Sequence, residues 1–247
     1  MQGARREGLR EGLIVAALRK LALAASLLAG GTAAPAATDP LNPTCPQELN
    51  WSTYRQMRFT VEQNGDQRIL RAEGLIDEDM PARLREALQA NDPIDEIWLR
   101  SPGGLARAGN EAGKLIRQTG IPTRIPAGWA CFSACNFMFM GGAVRFVDPA
   151  GFFVVHMFTH LGDKDAVRSE LEKGHDNAIG LIGDVEQDSA LLASEDNDFL
   201  IRMGVSRKLL TEVMYQQKAV AEGAEDKSTR RCLTAAETVR YNVANAQ

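Results

Sequence analysis

Apolar and polar positions alternate along several short segments of the chain, and this pattern predicts β-strands. Residues 57–63 and 67–76 alternate in this way on either side of Asn64-Gly65-Asp66, which predicts two strands joined by a tight turn. Four further segments with strand-like apolar content are residues 94–100, 121–126, 143–147 and 152–156.

Helical spacing of apolar positions is found between and after these strands. Residues 80–90 place Leu84 and Leu88 on one face, and Asp79 and Pro81 form a favourable helix start. The other predicted helices are residues 105–119, 133–140, 165–203 as one broken helix or two, 206–215, and a short last helix that begins at the capping box 234–237, with a loop at 219–229. Strands that alternate with helices predict an α/β fold whose strands are largely parallel, with right-handed crossovers.

The first 36 residues have the composition of a signal peptide rather than of a folded element. Five basic residues precede the short apolar stretch 21–29, which is followed by small residues and an Ala-x-Ala sequence ending at Ala36. These features predict a periplasmic or secreted protein cleaved after Ala36, and an uncleaved N-terminal membrane anchor is the alternative. Residues 37–50 contain three prolines and are predicted to form an extended linker before a domain at 51–247.

Composition narrows the class of protein. With 247 residues, 45% of them hydrophobic, the chain can fill a sizeable core. The formal net charge is −4, and removal of the five basic and two acidic residues before position 37 leaves −7, so nucleic acid is not an expected partner. No uninterrupted apolar run reaches the roughly 20 residues that cross a bilayer, which excludes a polytopic membrane protein.

Export changes the interpretation of the four cysteines, because an oxidising compartment favours disulfides and four cysteines allow three pairings. Cys45 and Cys232 lie near opposite ends of the mature chain, and chain ends often lie close together, so we expect a Cys45–Cys232 disulfide. Cys131 and Cys135 have the spacing of one helix face, where both could be small buried residues. A metal site would need more ligands than these cysteines and the scattered histidines supply, so none is predicted.

Three segments carry residues suited to catalysis, and each also has a purely structural interpretation. The glycines of Ser101-Pro-Gly-Gly104 come between a predicted strand and helix, so their N–H groups could bind an oxyanion, or the segment could be a plain turn. Ser133 begins a predicted helix and is either a nucleophile or an N-cap. His156 ends an apolar strand and is either a general base for Ser133 or a core histidine, whereas His160 and His175 are expected to be exposed.

The order and spacing of these segments resemble the proteolytic subunit of the Clp protease, within the Clp/crotonase superfamily. The resemblance is strongest at residues 97–156 and extends over residues 70–244. Its elements are SPGG at the end of a strand, Ala108-Gly109 in the next helix, a serine among small residues in Cys131-Phe-Ser133-Ala, Gly141-Gly142, Arg145, a histidine 23 residues after the serine, and the closing segment 233–241.

The resemblance implies a single α/β domain of the Clp/crotonase-like kind, with repeated ββα units, a mostly parallel sheet and flanking helices. It implies Ser133 as nucleophile and His156 as general base, and as oxyanion donors the N–H groups of Gly103, Gly104 and Ala134. It further implies a homo-oligomer that cleaves peptide or other acyl bonds through an acyl-enzyme, without a metal or organic cofactor. ATP is not expected outside the cytoplasm, so we expect no ATPase partner. Without such a partner, we expect short or disordered substrates.

The sequence departs from the family at the third catalytic residue. Arg230 occupies the position of the family's aspartate, and a cation there cannot orient His156. Carboxylates that could replace the aspartate lie in a nearby loop and on the long predicted helix: Asp226, Glu225, Asp184 and Asp188. A Ser–His dyad without an acid is the other possibility.

Three functions are therefore compatible with the sequence. The first is an exported Clp-like serine hydrolase, most simply a peptidase. The second is a catalytically inactive Clp-like protein that binds or assembles components of the cell envelope; Arg230 favours it, and the presence of Ser133 and His156 disfavours it. The third is a crotonase-type enzyme acting on acyl-CoA, which export disfavours because acyl-CoA substrates are cytoplasmic.

Overall fold

The computed structural model describes residues 37–159, 164–223 and 226–246, so the predicted signal peptide, His160 and Glu225 lie outside the described residues. The strands are β1 (Thr38–Asp39), β2 (Asn42–Pro46), β3 (Arg58–Asn64), β4 (Gln67–Glu73), β5 (Glu96–Arg100), β6 (Thr123–Ile125), β7 (Ala130–Phe132), β8 (Arg145–Val147), β9 (Phe152–Val155) and β10 (Arg231–Cys232). The helices are α1 (Met80–Ala90), α2 (Ala106–Thr119), α3 (Cys135–Gly141), α4 (Lys164–Glu172), α5 (His175–Met203) and α6 (Ala235–Arg240).

The largest sheet has five strands in the order β3-β4-β5-β6-β8. β3 and β4 form the predicted antiparallel hairpin, with Asn64 opposite Gln67 at the turn, whereas each later neighbour is parallel. Parallel neighbours need crossover connections, and α1, α2 and α3 lie in these connections. The predicted α/β fold with a mostly parallel sheet and flanking helices is confirmed.

The core lies between this sheet and the helices. Leu99 of β5 is fully buried, and the Phe137 ring of α3 meets the Phe199 ring of α5 edge to face, with centroids 5.1 Å apart. Small residues in α2 allow close packing, because a Cβ on Gly109 would clash with the carbonyl of Ala134. This close approach brings α2 against the turn that precedes α3.

A second sheet of three strands, in the order β10-β9-β7, carries the candidate catalytic residues at its edge. β7 is parallel to β9, with Phe132 opposite Val154, and β10 is antiparallel to β9. The sequence does not predict β7 or β10, because strands of 3 and 2 residues show no periodicity of their own. Since β7 and β9 are parallel, the residues that follow them, Ser133 and His156, leave the sheet at the same edge.

Residues 37–50, predicted as an extended linker, are attached to the domain. β1 and β2 form an antiparallel pair, and Cys45 in β2 is bonded to Cys232 in β10 with Cα atoms 5.1 Å apart. The side-chain amide of Asn42 also donates to the carbonyl of Arg230, at 2.6 Å. The disulfide expected from the two ends of the mature chain is present, and it ties the segment to the three-stranded sheet.

The long segment after the second sheet consists of two helices, one of the alternatives that the sequence leaves open. α4 and α5 are separated at Gly174, whose φ of 119° suits glycine, and His175 is exposed as expected. The predicted helix 206–215 is replaced by a π-helical turn, Leu209–Val213, and a 3₁₀ turn, Met214–Gln216. Within the described parts of the chain, no helix is both long and apolar enough to span a bilayer.

Candidate active site

Ser133 and His156 follow neighbouring parallel strands, and their side chains meet. Ser133 comes directly after Phe132 at the end of β7, and His156 comes directly after Val155 at the end of β9. The distance from Ser133 Oγ to His156 Nε2 is 2.6 Å. A neutral imidazole at this distance can accept the hydroxyl proton, so the two residues have the geometry that a nucleophile and its base require.

Ser133 occupies a strained turn and does not cap a helix. Its φ is 59°, a region that a residue with a side chain adopts at a cost of about 1–3 kcal/mol. α3 begins at Cys135 with Ala134 at the N-cap position, so the N-cap alternative for Ser133 is wrong. Asn136 holds the turn, since its side-chain amide donates to the carbonyl of Val154 at 2.7 Å and its N–H donates to the carbonyl of Ser133 at 2.9 Å.

A second disulfide closes this turn. Cys131 and Cys135 are bonded to each other, with Cα atoms 5.4 Å apart, and both are fully buried. Their spacing suggests two unpaired residues on one helix face, but only Cys135 lies in α3, whereas Cys131 lies in β7. Because a strand-to-helix turn separates the two cysteines, they can pair, and the disulfide spans Ser133.

The glycine segment lies directly against Ser133. A Cβ on Gly103 would be 2.6 Å from the Cβ of Ser133. The N–H of Gly103 donates to Ser101 Oγ at 3.0 Å, so this group, one of the three predicted oxyanion donors, is already engaged. The N–H groups of Gly104 and Ala134 have no partner among the described residues, and they are the two donors left for a substrate oxygen.

The surroundings of His156 favour the neutral imidazole. The ring is partly buried, and the centroid of the Phe132 ring lies 4.8 Å away. Burial lowers the pKa of His156 below its ordinary value, and a hydrogen bond to the Met157 backbone partly offsets this effect. The ring nitrogen Nε2 faces Ser133. His156 is therefore in the form that can act as a base at pH 7.

Neither of the candidate acids on α5 reaches His156. Asp188 accepts a hydrogen bond from the Arg107 guanidinium at 2.8 Å. Asp184 lines a separate, largely apolar groove of about 620 Å³. Within the part of the chain that the structure describes, no carboxylate is hydrogen-bonded to His156. This arrangement is that of a Ser–His dyad.

The candidate acid in the loop, Asp226, is bound within that loop. It accepts hydrogen bonds from the N–H and hydroxyl of Ser228 and from the N–H of Glu222. These bonds hold the pKa of Asp226 well below its usual range. Its oxygens therefore stabilise the loop, and the second loop candidate, Glu225, lies outside the described residues.

Arg230 comes directly before β10 and forms no hydrogen bond with His156 among the described contacts. The β9–β10 pairing, continued by one residue, places Arg230 level with His156. The guanidinium carbon is 5.8 Å from the centroid of the Trp51 ring, and its buried Nε has no partner among the described residues. Arg230 is thus a cation packed on an aromatic ring.

A buried carboxylate that the sequence analysis missed lies near the same pair. Asp196 on α5 is 8% exposed and lines a small cavity together with Ser133 and His156. Burial, and the charge of the adjacent Glu195, raise the pKa of Asp196 to about 7. The helical spacing of apolar residues could have revealed Asp196. The buried positions of α5 follow the spacing i, i+3, i+4, i+7 and are Asp196, Phe199, Leu200 and Met203.

An open cleft of about 680 Å³ leads to the Ser133–His156 pair. Its walls include Gly104 and Leu105 on one side and Phe158 and Leu192 on the other. Within the described residues, no group of three His, Cys, Asp or Glu side chains is placed to hold a metal ion.

The chain matches no protein-family model, and no curated protein matches it in sequence. Among solved structures, a mutant of ClpP1 from Listeria monocytogenes is similar at 15% identity with a TM-score of 0.47, over 72% of this chain and 88% of that chain. A mutant of the 1510-N membrane-bound stomatin-specific protease is similar at 14% identity with a TM-score of 0.41, over 72% of this chain and 75% of that chain. These values do not identify an activity, so the function is inferred from the site.

Proposed function

We propose that this protein is a serine hydrolase that cleaves peptide or other acyl bonds, with Ser133 as the nucleophile and His156 as the general base. The observation that carries the proposal is the 2.6 Å contact between Ser133 Oγ and His156 Nε2. Two N–H groups have no partner among the described residues: that of Gly104, in the glycine segment that lies against Ser133, and that of Ala134, which follows Ser133. A nucleophile, a neutral base and free donors in one cleft are the parts that acyl transfer needs.

In the acylation step, Ser133 Oγ attacks the carbonyl carbon of the substrate while His156 Nε2 takes the hydroxyl proton. The negative charge on the carbonyl oxygen is stabilised by the N–H groups of Gly104 and Ala134. The intermediate collapses when the imidazolium donates its proton to the leaving amine or alkoxide, and the acyl group remains on Ser133. Water then attacks this ester, His156 takes the water proton and returns it to Ser133 Oγ, and the acid product leaves.

Turnover without a carboxylate is expected to be slow. No carboxylate among the described residues is hydrogen-bonded to His156 to stabilise the imidazolium. In a well-characterised serine protease, loss of the triad acid lowers kcat by roughly 10⁴-fold. The proposed enzyme therefore acts on activated esters or accessible peptides more readily than on folded proteins.

The test is labelling of the purified mature chain with a fluorophosphonate, which reacts covalently with an activated serine. We expect stoichiometric labelling of the wild type at Ser133, located by peptide mass mapping, and none in Ser133→Ala. His156→Ala should lower the labelling rate by at least about 100-fold, because the hydroxyl then lacks a base. Labelling that is equally slow in all three proteins overturns the proposal.

We also propose that the enzyme works outside the cytoplasm, in the periplasm or as a secreted protein. The sequence of residues 1–36 supports this location, and so do two disulfides, which persist in oxidising compartments. Localisation of the processed chain by cell fractionation tests it. A cytoplasmic chain that keeps residues 1–36 would contradict the proposal.

Self-association is a further part of the proposal. Ile179 and Ile182 on α5 are 69% and 57% exposed, and a second copy of the chain would remove such apolar side chains from water. Light scattering on the mature protein should give a mass above that of the monomer. A monomer at high concentration would contradict it.

Arg230 supports a second candidate, a catalytically inactive protein that binds or assembles components of the cell envelope. A cation level with His156 opposes formation of the imidazolium that acyl transfer requires. The fluorophosphonate experiment separates the candidates, because an inactive binding protein would show no labelling that depends on Ser133 and His156.

A further inference from the structure

A small cavity adjoins the Ser133–His156 pair. Its volume is about 30 Å³, and most of its walls are apolar: Ala106, Ala134, Phe137, Phe158, Leu192 and Met214. It shares Ser133, His156 and Phe158 with the open cleft. A substrate whose carbonyl lies at Ser133 can therefore place the adjacent side chain in this cavity.

Two buried polar groups, one in the cavity wall and one that interacts with it electrostatically, lack partners among the described residues. Asp196, also a wall residue, is 8% exposed, and no described residue forms a hydrogen bond or ion pair with its carboxyl group. Tyr215 Oη is buried and has no partner within the described chain. Burial and the charge of Asp196 raise the pKa of Tyr215, so the two groups lie close enough to interact electrostatically. Buried polar groups without partners are rare, and this pair calls for a ligand that brings hydrogen-bond donors.

A primary ammonium group fits the cavity in charge and in size. The volume of about 30 Å³ is close to the share of liquid volume that one water molecule takes, and an ammonium is about as large, whereas a guanidinium is larger and planar. Glu195, the other acid nearby, lies 3.9 Å from the Arg107 guanidinium, which leaves Asp196 for the ligand. The methylene stem of a lysine side chain would lie outside the cavity, along the apolar walls that the cavity shares with the cleft: Ala106, Phe158 and Leu192.

We propose that this cavity binds the ammonium group of a lysine side chain on the acyl side of the scissile bond, with Asp196 as its ionic partner. The inference rests on the proposed hydrolase function and names its substrate class, peptides and esters cleaved after lysine. A water molecule that bridges Asp196 and Tyr215 is the competing occupant.

Binding of the ammonium is expected to strengthen between pH 6 and pH 8. The ion pair needs Asp196 as the carboxylate, and the pKa of Asp196 in the free protein is about 7. The other titratable groups around the cavity are His156, Tyr215 and the adjacent Glu195. Burial lowers the pKa of His156 and raises that of Tyr215, so both shifts lead away from the middle of this range, and we assign the pH dependence to Asp196.

The first test measures binding without catalysis. n-Butylammonium and n-butanol are compared at pH 8 as ligands of the mature chain, by the shift in Tm that each causes. We expect butylammonium alone to raise the Tm of the wild type, and no rise in Asp196→Asn. The matched control is Asp198→Asn, which changes an exposed carboxylate of the same helix paired with Arg202 and should respond as the wild type does. Equal shifts from the two ligands in the wild type overturn the inference in favour of a bridging water.

The second test compares lysine and norleucine thioesters, which differ only in the ammonium group. The wild type should show a kcat/KM for the lysine thioester about 10-fold or more above that for norleucine, and the ratio should fall toward 1 in Asp196→Asn while Asp198→Asn keeps it. A ratio near 1 in a wild type that fluorophosphonate labels contradicts the lysine subsite alone. A wild type that binds butylammonium but is not labelled contradicts the hydrolase function alone.

Discussion

Cys131 and Cys135 are joined by a disulfide across the turn that carries Ser133, with their Cα atoms 5.4 Å apart. The turn holds Ser133 at a φ of 59°, a conformation that surrounding constraints must maintain. The disulfide closes a loop of only a few residues around the nucleophile, so we infer that it contributes to the orientation of the hydroxyl.

Replacement of both Cys131 and Cys135 by Ala should therefore impair the site more than the fold. We expect a fall of about 10-fold or more in the fluorophosphonate labelling rate, because the strained turn can relax. The free energy of unfolding should fall by only about 2 kcal/mol for so short a loop. Labelling kinetics and urea denaturation measure the two effects, and an unchanged labelling rate would show that the turn is held without the disulfide.

The other disulfide provides the contrasting case. Cys45 and Cys232 are 187 residues apart in sequence, so their replacement by Ala should lower the free energy of unfolding by about 5 kcal/mol in the chain-entropy model. The labelling rate of the molecules that remain folded should stay near that of the wild type. A larger loss of stability in the Cys131/Cys135 variant than in this one would reverse the assignment of roles.

Gly103→Ala should disable the site by steric contact. The new Cβ would be 2.6 Å from the Cβ of Ser133, at a φ of 86°. Ser133 must then move, and we expect loss of labelling together with a destabilisation of about 1–3 kcal/mol. Gly120→Ala is the matched control, because its φ is 72° and nothing lies within 4 Å of the added Cβ. Labelling should be lost in the first variant and retained in the second; equal rates would show that Gly103 does not support Ser133.

The pH dependence of labelling should report the neutral form of His156. Burial lowers the pKa of His156 below 6.5, and the imidazole must be unprotonated to act as a base. The labelling rate should therefore rise with pH and reach half of its maximum below pH 6.5, when measured from pH 4.5 to 8. A midpoint above pH 7 would indicate a carboxylate partner for His156 and contradict the dyad.

Asp196 should make the protein less stable as pH rises. Its pKa is raised from 3.8 to about 7 in the folded state, so between these values the folded chain keeps a proton that the unfolded chain has lost. The contribution to stability is complete below about pH 4 and falls by about 1.4 kcal/mol per pH unit up to about pH 7. Urea denaturation should show Asp196→Asn gaining about 2–4 kcal/mol on the wild type between pH 4 and pH 8. Asp198→Asn should show no such gain. If the free energies of unfolding of all three proteins change with pH in parallel, the raised pKa of Asp196 is contradicted.

The main sheet could be predicted because its elements carry their own periodicity or turn chemistry. The hairpin around Asn64-Gly65 and the helix that starts after Asp79 are examples. β7 and β10 could not be predicted, since 2 or 3 residues have no measurable period and their pairing with β9 is a tertiary interaction. That pairing places Ser133 beside His156, which is why their proximity was expected from a family resemblance and not from local pattern.

The details of the site could not be predicted from the sequence, for a different reason. The Cys131–Cys135 spacing fits a helix, and only the position of the strand-to-helix turn shows that the two can pair. The motif does not show that the Gly103 N–H donates to Ser101 Oγ, which competes with a substrate oxygen for this N–H group. Asp196 could have been found, because it occupies a core phase of α5, where a carboxylate is unexpected.

Arg230→Asp tests whether the site lacks only its acid. The strand pairing places residue 230 level with His156, so a carboxylate there can approach the imidazole and stabilise its protonated form. We expect hydrolysis of a small ester to become about 10-fold faster, with the midpoint of the pH profile shifted upward, because a nearby negative charge raises the pKa of His156.

Arg230→Asn is the control, since it removes the cation and its packing on Trp51 without adding charge. His156→Ala in the Arg230→Asp background should abolish the gain. A gain in the Asn variant equal to that in the Asp variant would mean that the cation, and not the missing acid, limits the rate. Background hydrolysis in every variant would leave the inactive binding protein as the better explanation.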